Sequence, residues 1–149
     1  MATLVTATDD ILSKFKVAWE TPGADSDLGG GNYVSVYWPN TDKDAPTDVS
    51  IEWVKIHPLD LGKGSHSGIG SGTGRYTRVG FIIFQIFTEK GQGPYRANEL
   101  AQIILDAYDG ERTDNGVIFL DTEVVNVGVE EGGWFQTNIT VQYEFDQFK

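Results

Sequence analysis

The sequence predicts a single α+β domain over residues 1–149, a mainly antiparallel sheet packed with two helices in the order α-β-β-β-α-β-β-β. Three observations predict it. Two segments carry apolar residues at helical spacing, several shorter ones alternate with a period of two, and glycine, proline and aspartate cluster between them. A chain of 149 residues can bury one sizeable core and is too short for two ordinary domains.

The first helix is expected over residues 8–19, where Ile11, Leu12, Phe15, Ala18 and Trp19 form one apolar stripe. Thr8 is its expected N-cap, with Asp9 and Asp10 where the helix dipole favours negative charge. Residues 21–32, with Pro22, Asp25, Asp27 and three consecutive glycines, read as a flexible loop. A short strand follows at 33–37 and ends at Trp38-Pro39-Asn40. In the next strand Val49, Ile51 and Trp53 alternate on one face, then Val54 and Ile56 take the other, which predicts a bulge or twist near Trp53.

Residues 61–74 hold six glycines among Ser, Thr, Lys63 and His66, and read as a flexible loop joining two strands. The strongest strand is expected at 75–88. Val79, Phe81, Ile83 and Phe87 face one way and Ile82, Phe84 and Ile86 the other, so the sheet is expected to be covered on both faces there. Pro94 opens a second helix ending near Tyr108 before Gly110, with Ala97, Leu100, Ala101, Ile104, Ala107 and Tyr108 as its buried stripe. Short strands at 117–120 and 124–129, a turn at 130–133 and a closing strand at 134–145 complete the chain.

Composition narrows the function. The absence of cysteine excludes disulfides, thiolate zinc sites and cysteine nucleophiles. With 22 acidic against 11 basic side chains, the net charge of −11 argues against binding DNA through its phosphates. No leader-like segment opens the sequence, and the longest apolar-rich run, 79–87, is far too short to span a membrane. The expectation is a protein in solution.

No catalytic constellation reaches motif strength. The glycine-rich stretch lacks the spacing of a phosphate-binding loop and runs into a strand, whereas phosphate cradles open a helix. His57 and His66 have no nucleophile or cysteine beside them and make a poor zinc site. Asp25/Asp27 and Asp42/Asp44 do not continue into a calcium loop and read as solvated turn charge. Trp19, Trp53 and Trp134 fall on a helix stripe and on strands, which favours core or interface packing over a carbohydrate platform. The chain is expected to be no enzyme, with no cofactor and no metal.

Three segments carry a family likeness. They are VSVYWPN (34–40), GRYTRVGFIIFQIFTEKGQGPYRANELAQIILDAYDG (74–110) and GGWFQTNITVQYEFDQF (132–148). Their content and order resemble those of phage tail terminator, or tail completion, proteins. The resemblance implies a virion protein at the head-proximal end of the tail, assembled in the host cytoplasm as a ring, expected to be hexameric. Its implied partners are its own copies, the tail-tube protein whose polymerisation it stops, and the head–tail connector or stopper, with DNA passing through without specific binding.

A ring needs heterologous contacts, one patch of a subunit on a different patch of the next, burying roughly 1,200–2,000 Å² at each. The expected contact element is the glycine-rich loop with its flanks: Gly62, Lys63, Gly64, His66, Gly68, Gly70, Gly72, Gly74 and Arg75. Two other readings compete. One is another neck or tail component, a head–tail stopper or a tube subunit that polymerises without limit. The other is a small acidic ligand-binding domain or enzyme, which a pocket of converging carboxylates would favour.

Overall fold

A computed structural model describes residues 2–20, 34–41, 44–46, 51–67, 74–91, 93–129 and 133–148. Helix α1 spans Leu4–Glu20 and buries Ala7, Ile11, Phe15 and Trp19, one residue per turn along a single stripe. It starts earlier than expected. Thr6 N–H donates to Thr3 Oγ1 (3.1 Å) and Thr3 N–H to Thr6 Oγ1 (2.7 Å), a reciprocal cap that satisfies otherwise orphaned donors. Thr8 is therefore not the cap: its hydroxyl donates back to Leu4 O (2.8 Å) inside the helix. The loop expected at 21–32 lies outside the described residues.

Strands β1 (Ser35–Tyr37), β2 (Trp53–Ile56), β3 (Asp60–Ser67) and β4 (Arg75–Glu89) come next, then helix α2 (Tyr95–Tyr108) and strands β5 (Ile118–Val129) and β6 (Trp134–Phe148). The α+β class holds, with a mixed, mostly antiparallel sheet. The element order differs in two places. Four strands precede α2, because residues expected as flexible loop form β3. The two short strands expected at 117–129 are one, with a break in register between Phe119 and Thr122 that reverses the alternation.

The sheet runs β1-β2-β4-β6-β5, with β3 beside the first half of β4 and β2 beside the second. Only the β1–β2 pair is parallel. Strands β4 and β6 pair from Arg75↔Phe148 to Glu89↔Trp134 and form the spine. Trp53 to Ile56 pairs with β4 in regular register, so no bulge falls within β2; residues 47–50 lie outside the described residues, and a separate register shift lies in β3 between Asp60 and Lys63.

Both helices lie on one face. Ile82, Phe84 and Ile86 of β4 and Ile139, Val141, Tyr143 and Phe145 of β6 pack with the α1 stripe and with Leu100, Ala101, Ile104 and Tyr108 of α2. Phe84 stacks on Phe15 (5.0 Å between ring centroids) and lies 5.8 Å from Tyr108. The polar tips brought inside are satisfied: Tyr108 OH donates to Ile11 O (2.7 Å) and Trp19 Nε1–H to Val34 O (2.9 Å). Burial pushes the Tyr108 phenol well above its ordinary range, so it remains a neutral donor. The sheet was expected to be covered on both faces; among the described residues the helices lie on one, and on the other Val79 and Phe81 stay partly exposed beyond the Trp53 cluster.

Candidate functional site

On the helix-free face β4 presents Val79, Phe81, Ile83 and Phe87, the alternate set to its core residues. Near one end an aromatic cluster covers it. Phe87 stacks on Trp53 at 4.0 Å, Trp134 meets Trp53 edge-on at 5.7 Å, and Tyr37 tilts against Trp53 at 4.8 Å. These rings form a second small core, as the strand positions of Trp53 and Trp134 predicted. Trp134 Nε1–H donates to Ile51 O (3.2 Å), while the buried Trp53 Nε1–H has no acceptor among the described residues.

Away from that cluster the face is open. Val79 and Phe81 each keep 40% of their surface in water, next to the polar row Thr140, Gln142 and Glu144 of β6. On β5 the apolar side chains are more exposed still: Val125 (45%), Val127 (43%) and Val129 (62%), with Ile118, Leu120 and Val124 also exposed. Strand β5 is an edge. Residues 111–113 bond its first two residues, and beyond them its outer side has no strand partner among the described residues. A long apolar edge left open is a template for pairing with another chain.

At the other side of the sheet, β3 is likewise an edge, bonded only to β4 among the described residues. Its start is built by a close approach of backbones. Gly62 has φ +74°, its N–H donates to Asp60 Oδ1 (2.8 Å), and its carbonyl accepts from Arg78 Nη1 (3.3 Å). Tyr143 OH donates to Asp60 O (2.6 Å) through the gap left by Gly80, and burial raises that phenol above its usual range. Arg78 Nε–H donates to Gln147 Oε1 (2.6 Å).

The expected contact residues are thus only partly a loop. Gly62, Lys63, Gly64 and His66 lie in β3, Gly74 precedes β4 and Arg75 opens it. Gly68, Gly70 and Gly72 lie outside the described residues. Sequence reasoning missed the second edge, β5. The available signal was Val124-Val125, adjacent valines flanked by Asp121 and Glu123.

Arg75 pairs with Asp146 at 2.8 Å, and Thr77 donates to the same carboxylate at 2.6 Å. The Thr77 hydrogen bond, then the Arg75 contact, hold Asp146 below the usual aspartate range despite partial desolvation. A depressed carboxyl adds stability at pH values above its unfolded pKa, about 3.9, and loses it as pH falls through the folded value. Asp146→Asn is therefore expected to cost under about 1 kcal/mol at neutral pH, with the gap to wild type closing as the pH falls through the depressed folded-state range. Urea titrations at several pH values read this directly; a gap that widens in acid would contradict it.

A groove of about 540 Å³ between α1, α2 and residues 111–115 is the other concavity of note. Two pairs of its polar groups satisfy each other, Lys14 with Glu111 (3.3 Å) and Asn115, which donates to Asp10 Oδ1 (3.0 Å), while the buried Asp10 Oδ2 has no partner among the described residues. Among the described residues no group of three or more His, Asp or Glu converges as a metal site, and no helix is long and apolar enough to cross a membrane. The surface that stands out is the open apolar face with β3 and β5 at its borders, each bonded to a neighbouring strand on one side only among the described residues.

A family profile described as phage tail terminator protein matches residues 11–143. No curated protein matches the chain. Among solved structures, a chain with no descriptive name is similar at a TM-score of 0.61 and 13% identity, over 95% of this chain and 96% of that one. A chain of the virion of a native gene transfer agent particle is similar at a TM-score of 0.53 and 12% identity, over 98% of this chain and 100% of that one. At such identities the two structures speak for the fold alone. The family match covers most of the sequence, and this chain belongs to the phage tail terminator family, whose members are structural proteins of the phage tail.

Proposed function

We propose that copies of this chain close into a ring, a hexamer as the family resemblance implies, that caps the tail tube, stops its polymerisation and offers the surface to which the head-side connector joins. In this reading the protein works by shape alone, with no catalytic step, at the head-proximal end of a tail assembled in the host cytoplasm. DNA crosses the ring without specific contacts. The observation that supports the proposal, beside the family match, is the open apolar sheet face bordered by β3 and β5, each paired on one side only among the described residues. A subunit exposing Val79, Phe81 and the valines of β5 leaves uncovered what a monomer in water would bury.

Two free edges would equally serve a tube subunit that polymerises without limit, and that is the second reading. Phage assembled without this gene tell them apart. If the chain terminates tails, electron micrographs show tails of irregular, mostly excessive length that fail to join heads. Loss of the tube altogether favours the tube-subunit reading, and tails of normal length attached to heads end the proposal.

A further inference from the structure

Strand β5 has the make-up of an interior strand and the position of an edge. Exposed apolar side chains stand on both its faces. Val124 and Val129 lie opposite Ile139 and Phe135 of β6, on the helix side, while Ile118 and Val125 lie opposite Glu144 and Asn138, on the other. A strand apolar on both sides normally runs between two neighbours in a sheet. β5 has one, β6. On its outer side residues 111–113 bond only its first residues, and beyond them no strand pairs with it among the described residues. Edges that stay in water are commonly guarded by lysine, proline or bulges. Residues 117–131 contain no lysine, arginine or proline, and the two register shifts leave residues 122–126 between them in regular pairing with β6.

What the edge carries instead is negative charge without a counterpart. Asp121 and Glu123 are exposed, and neither forms an ion pair among the described residues. Thr122 and Glu123 lie opposite Val141 and Thr140, so β6 supplies no base there. Glu130 and Glu131 follow in the sequence. The side open to a cation that pairs with these carboxylates across strands is the outer one.

We propose that β5 accepts an added strand from the tail-tube protein, an extended segment with Lys or Arg beside Asp121 and Glu123 and apolar residues beside the valines. This rests on the capping role proposed above and names one contact by which the cap holds the tube. The tube is the source because stopping its growth requires the cap to occupy the end to which the next tube ring would add. Backbone bonds to the outward N–H and C=O groups of β5 supply affinity, and the valines and carboxylates at its alternate positions select the segment.

Charge decides against a second copy as the occupant. At −11 per copy two subunits repel. A second β5 would bring the same acidic strand from each copy together, β3 opens on Asp60, and β1 has three residues and no base. A base-bearing segment of a different protein meets attraction at the same edge.

Hydrogen exchange read by mass spectrometry on the full-length protein, alone and bound to isolated tail tubes, tests the contact. On tubes the amides of residues 122–129 that point away from β6 are expected to exchange about tenfold more slowly or less, with β4 and β6 unchanged. Asp121→Lys combined with Glu123→Lys is expected to weaken tube capping by about tenfold or more and to abolish its decline with rising salt, with the fold unchanged by circular dichroism. Asp9→Lys combined with Asp114→Lys makes the same change of charge at exposed acids outside β5 and should alter capping by no more than about twofold. Capped tubes with unchanged exchange at 122–129, or control reversals that weaken capping as much, overturn the strand addition and leave the capping role standing. Equally slow exchange there in the protein without tubes makes a second copy the occupant and overturns it too. Tubes that the wild type does not cap at all overturn the capping role itself.

Discussion

Phe84→Ala is expected to lower the unfolding free energy by about 3–5 kcal/mol, a large share of the roughly 5–15 kcal/mol that holds a domain of this size together. The side chain is fully buried at the one point where all layers meet. It stacks on Phe15 of α1, touches the Tyr108 ring of α2, and lies between Ile56 on β2 and Ile139 on β6. Removing the ring leaves a cavity that no single element can fill by moving, because Tyr108 is itself tied to Ile11 O. Phe81→Ala supplies the control, being the same substitution three residues away on the same strand. Phe81 keeps 40% of its surface in water on the helix-free face, so the monomer should lose about 1 kcal/mol or less. Urea unfolding of the two variants decides the matter: equal losses would mean that the helix-bearing face is not the core.

That contrast also marks what the sequence could and could not convey. The stripes of α1 and α2 and the alternation of β4 were legible, since each answers to burial of one face at a fixed period. Apolar residues on both sides of β4 say that both faces want cover, and among the described residues the helices cover only one; periodicity does not distinguish a face buried by its own helices from one left for another molecule. Strand β3 was invisible for a related reason. Gly64 and Ser65 bury no apolar face, and the strand is held by backbone bonds to β4, which leave no hydrophobic period. The early start of α1 escaped because Leu4 and Val5 are exposed and the cap uses two threonines without the usual glutamate. Strand β5 read as two pieces because its bulge after Phe119 breaks the alternation.

The second large effect concerns the notch that seats β3, where two readings of the glycine-rich segment predict opposite signs. If Gly62 lay in a flexible hairpin tip, alanine there would be neutral or would stabilise by about 0.4–1 kcal/mol through the unfolded chain. In the structure a Cβ on Gly62 would fall well under 3.0 Å from Val79 O, and a Cβ on Gly80 equally close to Asp60 O, backbone atoms that cannot swing aside. Gly62 also has φ +74°, a left-handed conformation that costs an L-residue about 1–2 kcal/mol. Gly62→Ala and Gly80→Ala are therefore each expected to cost about 2–4 kcal/mol, the sum of overpacking and, for Gly62, backbone strain. The loss should be local as well as global. Amides of residues 60–67 should exchange faster, since separating β3 from β4 also breaks the Tyr143 OH bond to Asp60 O. Gly91 isolates the contribution of φ: it sits at +85°, and a Cβ there would meet nothing within 4 Å, so Gly91→Ala should cost only about 1–2 kcal/mol. If Gly62→Ala matched Gly91→Ala and left exchange at 60–67 unchanged, the edge would not be a seated strand, and a partner could not use it as one.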